Sequence, residues 1–181
     1  MPHPADDAVI ALHLAVCRRF GAAVRSAHGK WDRRSPCDEW DARAVVEHVI
    51  GFHDVLVLRP LGLKPNRPPE DPRVRWELTY RALAGALVPG MRLDTTGLIP
   101  KLTRDVLVHT WDLARAVGAD DRLDPQWCEL CWAGLPAESQ ALVASGMFKA
   151  PIALDDQSEI DAQARLLAWV GRDPSWRPEV L

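Results

Sequence analysis

Long apolar runs are missing from this chain. No stretch approaches the roughly 20 consecutive apolar residues that a membrane-spanning helix needs, so a soluble protein with no membrane partner is expected. Basic runs are missing too. Net charge is -3, no Lys/Arg cluster dominates any segment, and Arg33 beside Arg34 reads as a surface pair, so a broad nucleic-acid surface is excluded. The N-terminus, MPHPADDAVIALHLAV, carries acids where a signal peptide would be basic, and His13 interrupts its apolar run. A cytoplasmic protein is therefore expected. Cysteine is sparse, with Cys17, Cys37, Cys128 and Cys131, and in that compartment these thiols are expected to be reduced. Strand alternation and internal repeats are absent as well.

What is present is ordinary globular composition, 48% hydrophobic and 26% charged, with recurrent helical periodicity. A length of 181 residues suits a single domain over 1–181, burying roughly 70% of the surface its unfolded chain exposes. The pattern predicts an all-α protein with four main helices and shorter C-terminal ones. The first runs from about Asp7 to about Ser26 with Ile10, Leu14, Cys17 and Val24 on its apolar face. Asp41 can N-cap a second helix faced by Ala42, Val45, Val46, Val49, Ile50, Leu56 and Val57. Five prolines between Arg59 and Arg73 demand a long loop. Asp71 and Pro72 then start a third helix, with Trp76, Tyr80, Leu83 and Leu87 as its stripe and Pro89 and Gly90 as its end. Pro100 is expected to open the fourth helix and Gly118 to close it. Asp124 with Pro125 opens a short helix that Pro136 interrupts, and Ser158 can cap a last one before Gly171.

The most informative segment is DVLVHTWDLARAVG, residues 105–118. Asp105 and His109 stand four apart, so they stack on one helical face and can share a divalent cation. His109 falls in the stripe of Leu102, Val106, Leu113 and Val117, with Asp105 and Asp112 on its flank. Buried carboxylates need compensation, from a cation or a hydrogen-bonded imidazole. Asp112 can instead pair with Arg115, which is the favoured structural reading for it. An outside ligand has two sources on the second helix: His48, on the flank of the apolar face beside Phe52, and His53, nearer its centre and mildly favoured by periodicity.

Other chemistry-bearing residues read as structural. Cys128 and Cys131 form a CxxC inside WCELCW, but a zinc ribbon needs a second pair and a thioredoxin site a preceding strand, so helix packing is expected. Cys37 reads as a turn residue ahead of the second helix, with an auxiliary-thiol role as the alternative. Of eight tryptophans, Trp40 and Trp111 lie nearest the candidate ligands; Trp111 projects away from the His109 stripe. Arg59, Arg67 and Arg73 are expected in a solvated loop, with an anionic-substrate role as the alternative.

Four ordered segments, SPCDEWDARAVVEHVIG, DVLVHTWDLARAVG, SGMFKAPIAL and RLLAWVGRDPSW, together resemble the actinobacterial helical-bundle family that includes the N-terminal domain of mycothiol-dependent maleylpyruvate isomerase, within the DinB-like superfamily. The resemblance implies a DinB-like four-helix bundle. It implies a divalent metal, zinc or nickel, held by His48, Asp105 and His109, and so selects His48 over His53. Asp112 becomes a residue supporting the ligands. The isomerase has Glu where this chain has the shorter Asp105, which points to a different ligand distance or metal. This chain is also shorter than the isomerase, with no evident counterpart of its C-terminal domain, so maleylpyruvate isomerisation itself is not the expected reaction. The implied activity is that of an S-transferase or isomerase type enzyme in which a metal-bound thiolate, from mycothiol as low-molecular-weight thiol, attacks a small electrophile. A hydrolase using metal-bound water with Asp112 as base, and a non-catalytic metal-binding stress-response module, are the alternatives. Oligomeric state is left open, a homodimer being compatible.

Overall fold

A computed structural model describes residues 4–38, 40–68, 70–88, 97–144, 146, 148–154 and 160–178. Among these the chain is all-helical, with a single isolated backbone bridge between Arg34 and Asp41 and no strand. It divides into two compact units, Met1–Asp121 and Arg122–Leu181.

The first unit holds α1 (Pro4–Ser26), α2 (Ala42–His53), α3 (Pro72–Ala86) and α4 (Leu98–Val117). Their ends follow from local chemistry. Asp41 accepts from Ala44 N at 2.8 Å and caps α2, while Asp71 accepts from Arg73 N and Val74 N ahead of Pro72 to cap α3. Gly118, at φ 69°, closes α4 in the left-handed region where a glycine carries no Cβ penalty. The start of α4 lies at Leu98, with Gly97 as cap, so Pro100 sits inside the first turn rather than at its start. A proline tolerates that turn because the N–H it lacks would have had no partner in the helix. The expected end of α3 at Pro89 and Gly90 lies outside the described residues; the helix itself stops at Ala86.

The apolar face of the second helix continues past His53 through a π-helical turn, Asp54–Leu58, in which Arg59 N donates to Asp54 O. This wider turn buries Val57 and Leu58 while leaving Leu56 37% exposed, so Leu56 does not join the face periodicity gave it. The proline-rich loop is pinned here as well. Arg67, expected in solvent, is half-buried, ion-paired with Asp54, and donates to Thr79 Oγ1 at 2.8 Å.

In the bundle α1 packs on α4 and α3, and α2 packs on the same two, giving the ring order α1, α4, α2, α3. Helices α1 and α2 are thus diagonal, which is why residues 27–41 are needed to cross between them. Helix α4 is buried along nearly its whole length and circumference, from Leu102 to Ala114, more than a one-sided stripe predicts. Trp76 of α3 is 2% exposed and meets Phe20 of α1 edge-on, ring centroids 4.8 Å apart. Trp76→Ala is expected to cost about 3–5 kcal/mol in urea unfolding, since the cavity opens where two helices meet. A loss below about 1 kcal/mol would mean that the site collapses without penalty.

The second unit carries α5 (Pro125–Ala133), α6 (Gln140–Ala144) and α7 (Ala162–Trp169). Asp124 caps α5 ahead of Pro125, and Asp161 caps α7 by accepting from Ala164 N at 2.7 Å. Ser158, the cap expected from sequence, lies outside the described residues. Helices α5 and α7 pack together through Trp132 and Trp169, whose rings meet edge-on at 5.5 Å. Gly171, at φ 76°, follows α7 where an added Cβ would stand 2.5 Å from Lys149 Cβ.

Candidate metal centre

Helix α2 brings His48, and helix α4 brings Asp105 and His109, to one place in the first unit. His48 Nε2 stands 3.4 Å from Asp105 Oδ2, and His109 Nε2 stands 3.5 Å from Asp105 Oδ1. One ligand atom from each of the three lies within 4.8 Å of the others. This is the geometry of the two helices: four residues separate Asp105 from His109, and α2 packs directly on α4. His48 Nε2 and Asp105 Oδ2 are buried yet lack an aligned hydrogen bond, which is the condition a shared cation would relieve.

Asp112 completes the arrangement. Sequence reasoning favours Arg115 as its partner, but its Oδ2 accepts from His109 Nδ1 at 2.9 Å, while Arg115 Nε reaches Asp121 Oδ2 at 2.6 Å. A carboxylate on Nδ1 fixes that ring's proton there, leaving Nε2 aimed at Asp105. Burial alone would lower the pKa of His109. The charge and hydrogen bond of Asp105, followed by those of Asp112, overcome burial and push it up to about 9. Asp105 shows the converse: burial would raise it, but His109, then His48, hold its carboxyl well below the usual carboxylate range. Without metal, the group is a buried ion pair.

Aromatic rings wall the centre. Trp40 lies 4.7 Å from the His48 ring and stacks on His109 at 5.7 Å, and Phe52 lies 4.1 Å from His48. Of the two tryptophans near the ligands in sequence, Trp40 is therefore the one at the site. Trp111 is fully buried, with the Arg115 guanidinium 5.0 Å from its ring centroid. His48 keeps 18% of its side chain exposed against 6% for Asp105, so the His48 side faces outward.

His53 takes a different place. It is fully buried against His13 and Cys17 of α1, forming a second group whose ligand atoms also lie within 4.8 Å. Burial lowers the pKa of His13 to about 3, with His53 adding to the effect; burial also lowers His53 and pushes the Cys17 thiol above its usual range. Sequence reasoning treats His13 only as a break in an apolar run. The signal it passes over is the spacing of His13 and Cys17, four apart like Asp105 and His109.

The remaining cysteines behave as packing predicts. Cys128 and Cys131 are buried and unbridged, and burial, then neighbouring charge, raises the Cys128 thiol to about 12, far from a reactive thiolate. Cys37 shapes a turn: its N–H donates to Ser35 Oγ, and its carbonyl accepts from Trp40 N. The backbone of that turn places Trp40.

Fold and site together define a helical-bundle protein with a two-histidine, one-carboxylate candidate metal centre. Residues 13–72 match the family described as the mycothiol maleylpyruvate isomerase N-terminal domain, a stretch that starts within α1, runs through α2 and contains the first of the four segments that carry the resemblance. That segment contains His48, whereas Asp105 and His109 lie after it. Two uncharacterised proteins of Mycobacterium tuberculosis, from strains CDC 1551 / Oshkosh and ATCC 25618 / H37Rv, are each 32% identical over 106 aligned residues, covering 51% of this chain. The match spans 57% of each relative's own length. No solved structure matches. Among the described residues no helix is long and apolar enough to cross a membrane.

Proposed function

We propose that the chain is a divalent-metal-dependent, thiol-using enzyme of S-transferase or isomerase type, with His48, Asp105 and His109 as ligands and mycothiol as cosubstrate. The observation that carries this reading is the convergence of two imidazole Nε2 atoms, at 3.4 and 3.5 Å, on the two oxygens of one buried carboxylate. Two nitrogens and one oxygen suit zinc or nickel and leave coordination positions open, as catalytic sites do. When bound, such an ion lowers the pKa of a coordinated thiol and makes it a nucleophile at neutral pH.

The protein's own residues do the rest. Asp112 holds the His109 ring in the tautomer whose Nε2 faces the centre, and Asp105 supplies the negative charge that offsets a dication. Trp40 and Phe52 hold their rings against the ligand imidazoles, while the partly open His48 edge is where a thiol and a small electrophile would approach. A reducing cytoplasm would keep that thiol available.

Elemental analysis of untagged protein, followed by calorimetric titration with mycothiol, tests the reading. Binding heat is expected from metal-loaded protein and not from chelator-treated protein. Failure to hold or regain a divalent ion defeats the metal assignment, and thiol binding indifferent to the ion defeats the thiol chemistry.

A further inference from the structure

The second cluster, His13, Cys17 and His53, joins the two diagonal helices across the bundle core. Its hydrogen bonds fix both imidazole tautomers. Thr103 Oγ1 gives its single hydrogen to Ile99 O at 2.8 Å, so toward His13 Nδ1, 3.0 Å away, it can only accept. His13 therefore carries its proton on Nδ1. His53 Nδ1 faces Val49 O at 2.7 Å, and a carbonyl only accepts, so His53 is protonated on Nδ1 as well.

Both neutral rings then turn an Nε2 lone pair inward, and these two atoms stand 3.2 Å apart. Cys17 Sγ lies 3.6 Å from His13 Nε2 and 3.8 Å from His53 Nε2. One S–H can serve only one of the two nitrogens, so the cluster is short of a positive centre. All three side chains are fully buried, and leaving a lone pair there without a donor is costly.

A tetrahedral zinc ion with Zn–N of about 2.0–2.1 Å and Zn–S of about 2.3 Å spaces two nitrogens about 3.3 Å apart and nitrogen from sulfur about 3.6 Å. The observed triangle of 3.2, 3.6 and 3.8 Å has those edges. The Nδ1–H groups bonded to oxygen are also the outer contacts that orient metal-binding histidines. We propose that His13, Cys17 and His53 form a second metal centre, separate from the His48, Asp105 and His109 group, which takes a thiophilic divalent ion of the zinc class and ties α1 to α2. On binding, the Sγ–H bond breaks, its electron pair goes to the ion and its proton to solvent buffer. The two neutral histidines release none. With its ligands fully enclosed, this centre braces the fold rather than meeting substrate.

The test uses full-length, untagged protein stripped by chelator and reloaded with zinc or cobalt(II). His109→Ala, which disables the first site, is expected to keep one equivalent of metal, with a sulfur neighbour in the zinc absorption-edge spectrum and sulfur-to-cobalt charge-transfer absorption. Adding Cys17→Ser or Cys17→Ala is expected to remove that equivalent and both signatures. Metal retained in full by the double variants overturns the proposal, as does a sulfur-free shell in the His109→Ala protein, a result that needs no change at Cys17. If His109→Ala holds as much metal as wild type while Cys17→Ser loses one equivalent, the first site fails and the second stands.

Discussion

Asp105→Asn is expected to weaken divalent-metal binding at the His48 and His109 centre by more than about a hundredfold. The variant keeps the shape of the side chain and removes its charge. Both Nε2 atoms face this one carboxylate, so its neutralisation takes away the negative charge that both of them meet. Removing even a residue that only hydrogen-bonds to a metal ligand costs about 10–100-fold in affinity, and removing a carboxylate that itself touches the ion should cost more. Asp112→Asn gives the internal scale, because it touches His109 at Nδ1 alone and should fall within the smaller range. Competition against a fluorescent chelator, with Cys17→Ser in the background to silence the second cluster, reads both numbers. An Asp105→Asn protein that binds metal as tightly as its parent would remove Asp105 from the ligand set.

The metal-free protein should lose stability on the alkaline side by an amount on the order of 3 kcal/mol. His109 rises from an ordinary 6.5 to about 9 in the fold, so the folded state holds its proton more tightly than the unfolded chain does. The resulting stability is fully present below about pH 6.5 and is lost as pH climbs through about 9. Asp105 works in the opposite sense: its depressed pKa adds stability above the ordinary carboxylate range, and this is lost as pH falls toward the folded value. Urea unfolding of chelator-treated protein at about pH 6 and about pH 9.5 measures the alkaline limb. Equal stability at both values would show that His109 is not held charged. Zinc should flatten the slope, since an ion at His109 Nε2 takes the place of the proton.

The caps of α2, α3 and α5 were legible because each is a local bargain between an aspartate and the next two or three backbone N–H groups. The stacking of Asp105 and His109 was legible for the same reason, being set by helical pitch. What periodicity could not decide was which histidine of α2 met them. His48 and His53 sit on neighbouring parts of one face, and the outcome depends on how that face is shared: His48 turns toward α4, His53 toward α1. For Asp112 spacing does not discriminate, because Arg115 and His109 are both three residues away, and near full burial of α4 favours the inward partner. Arg67 is not legible as a contact because prolines forecast a loop but not the half-buried Asp54 and the buried Thr79 that the loop lies against.

The ring order of the helices bears on how the chain is made. Helices α1 and α2, which precede α3 and α4 in the chain, lie diagonally in the finished bundle and meet across its core at His13, Cys17 and His53. The surfaces they will cover belong to α3 and α4, which emerge later, α4 ending only at Val117. A nascent chain that has emerged only as far as residue 72 thus displays two apolar stripes with no flanking helix to lie against, and their cooperative burial has to wait until Val117 has left the ribosome.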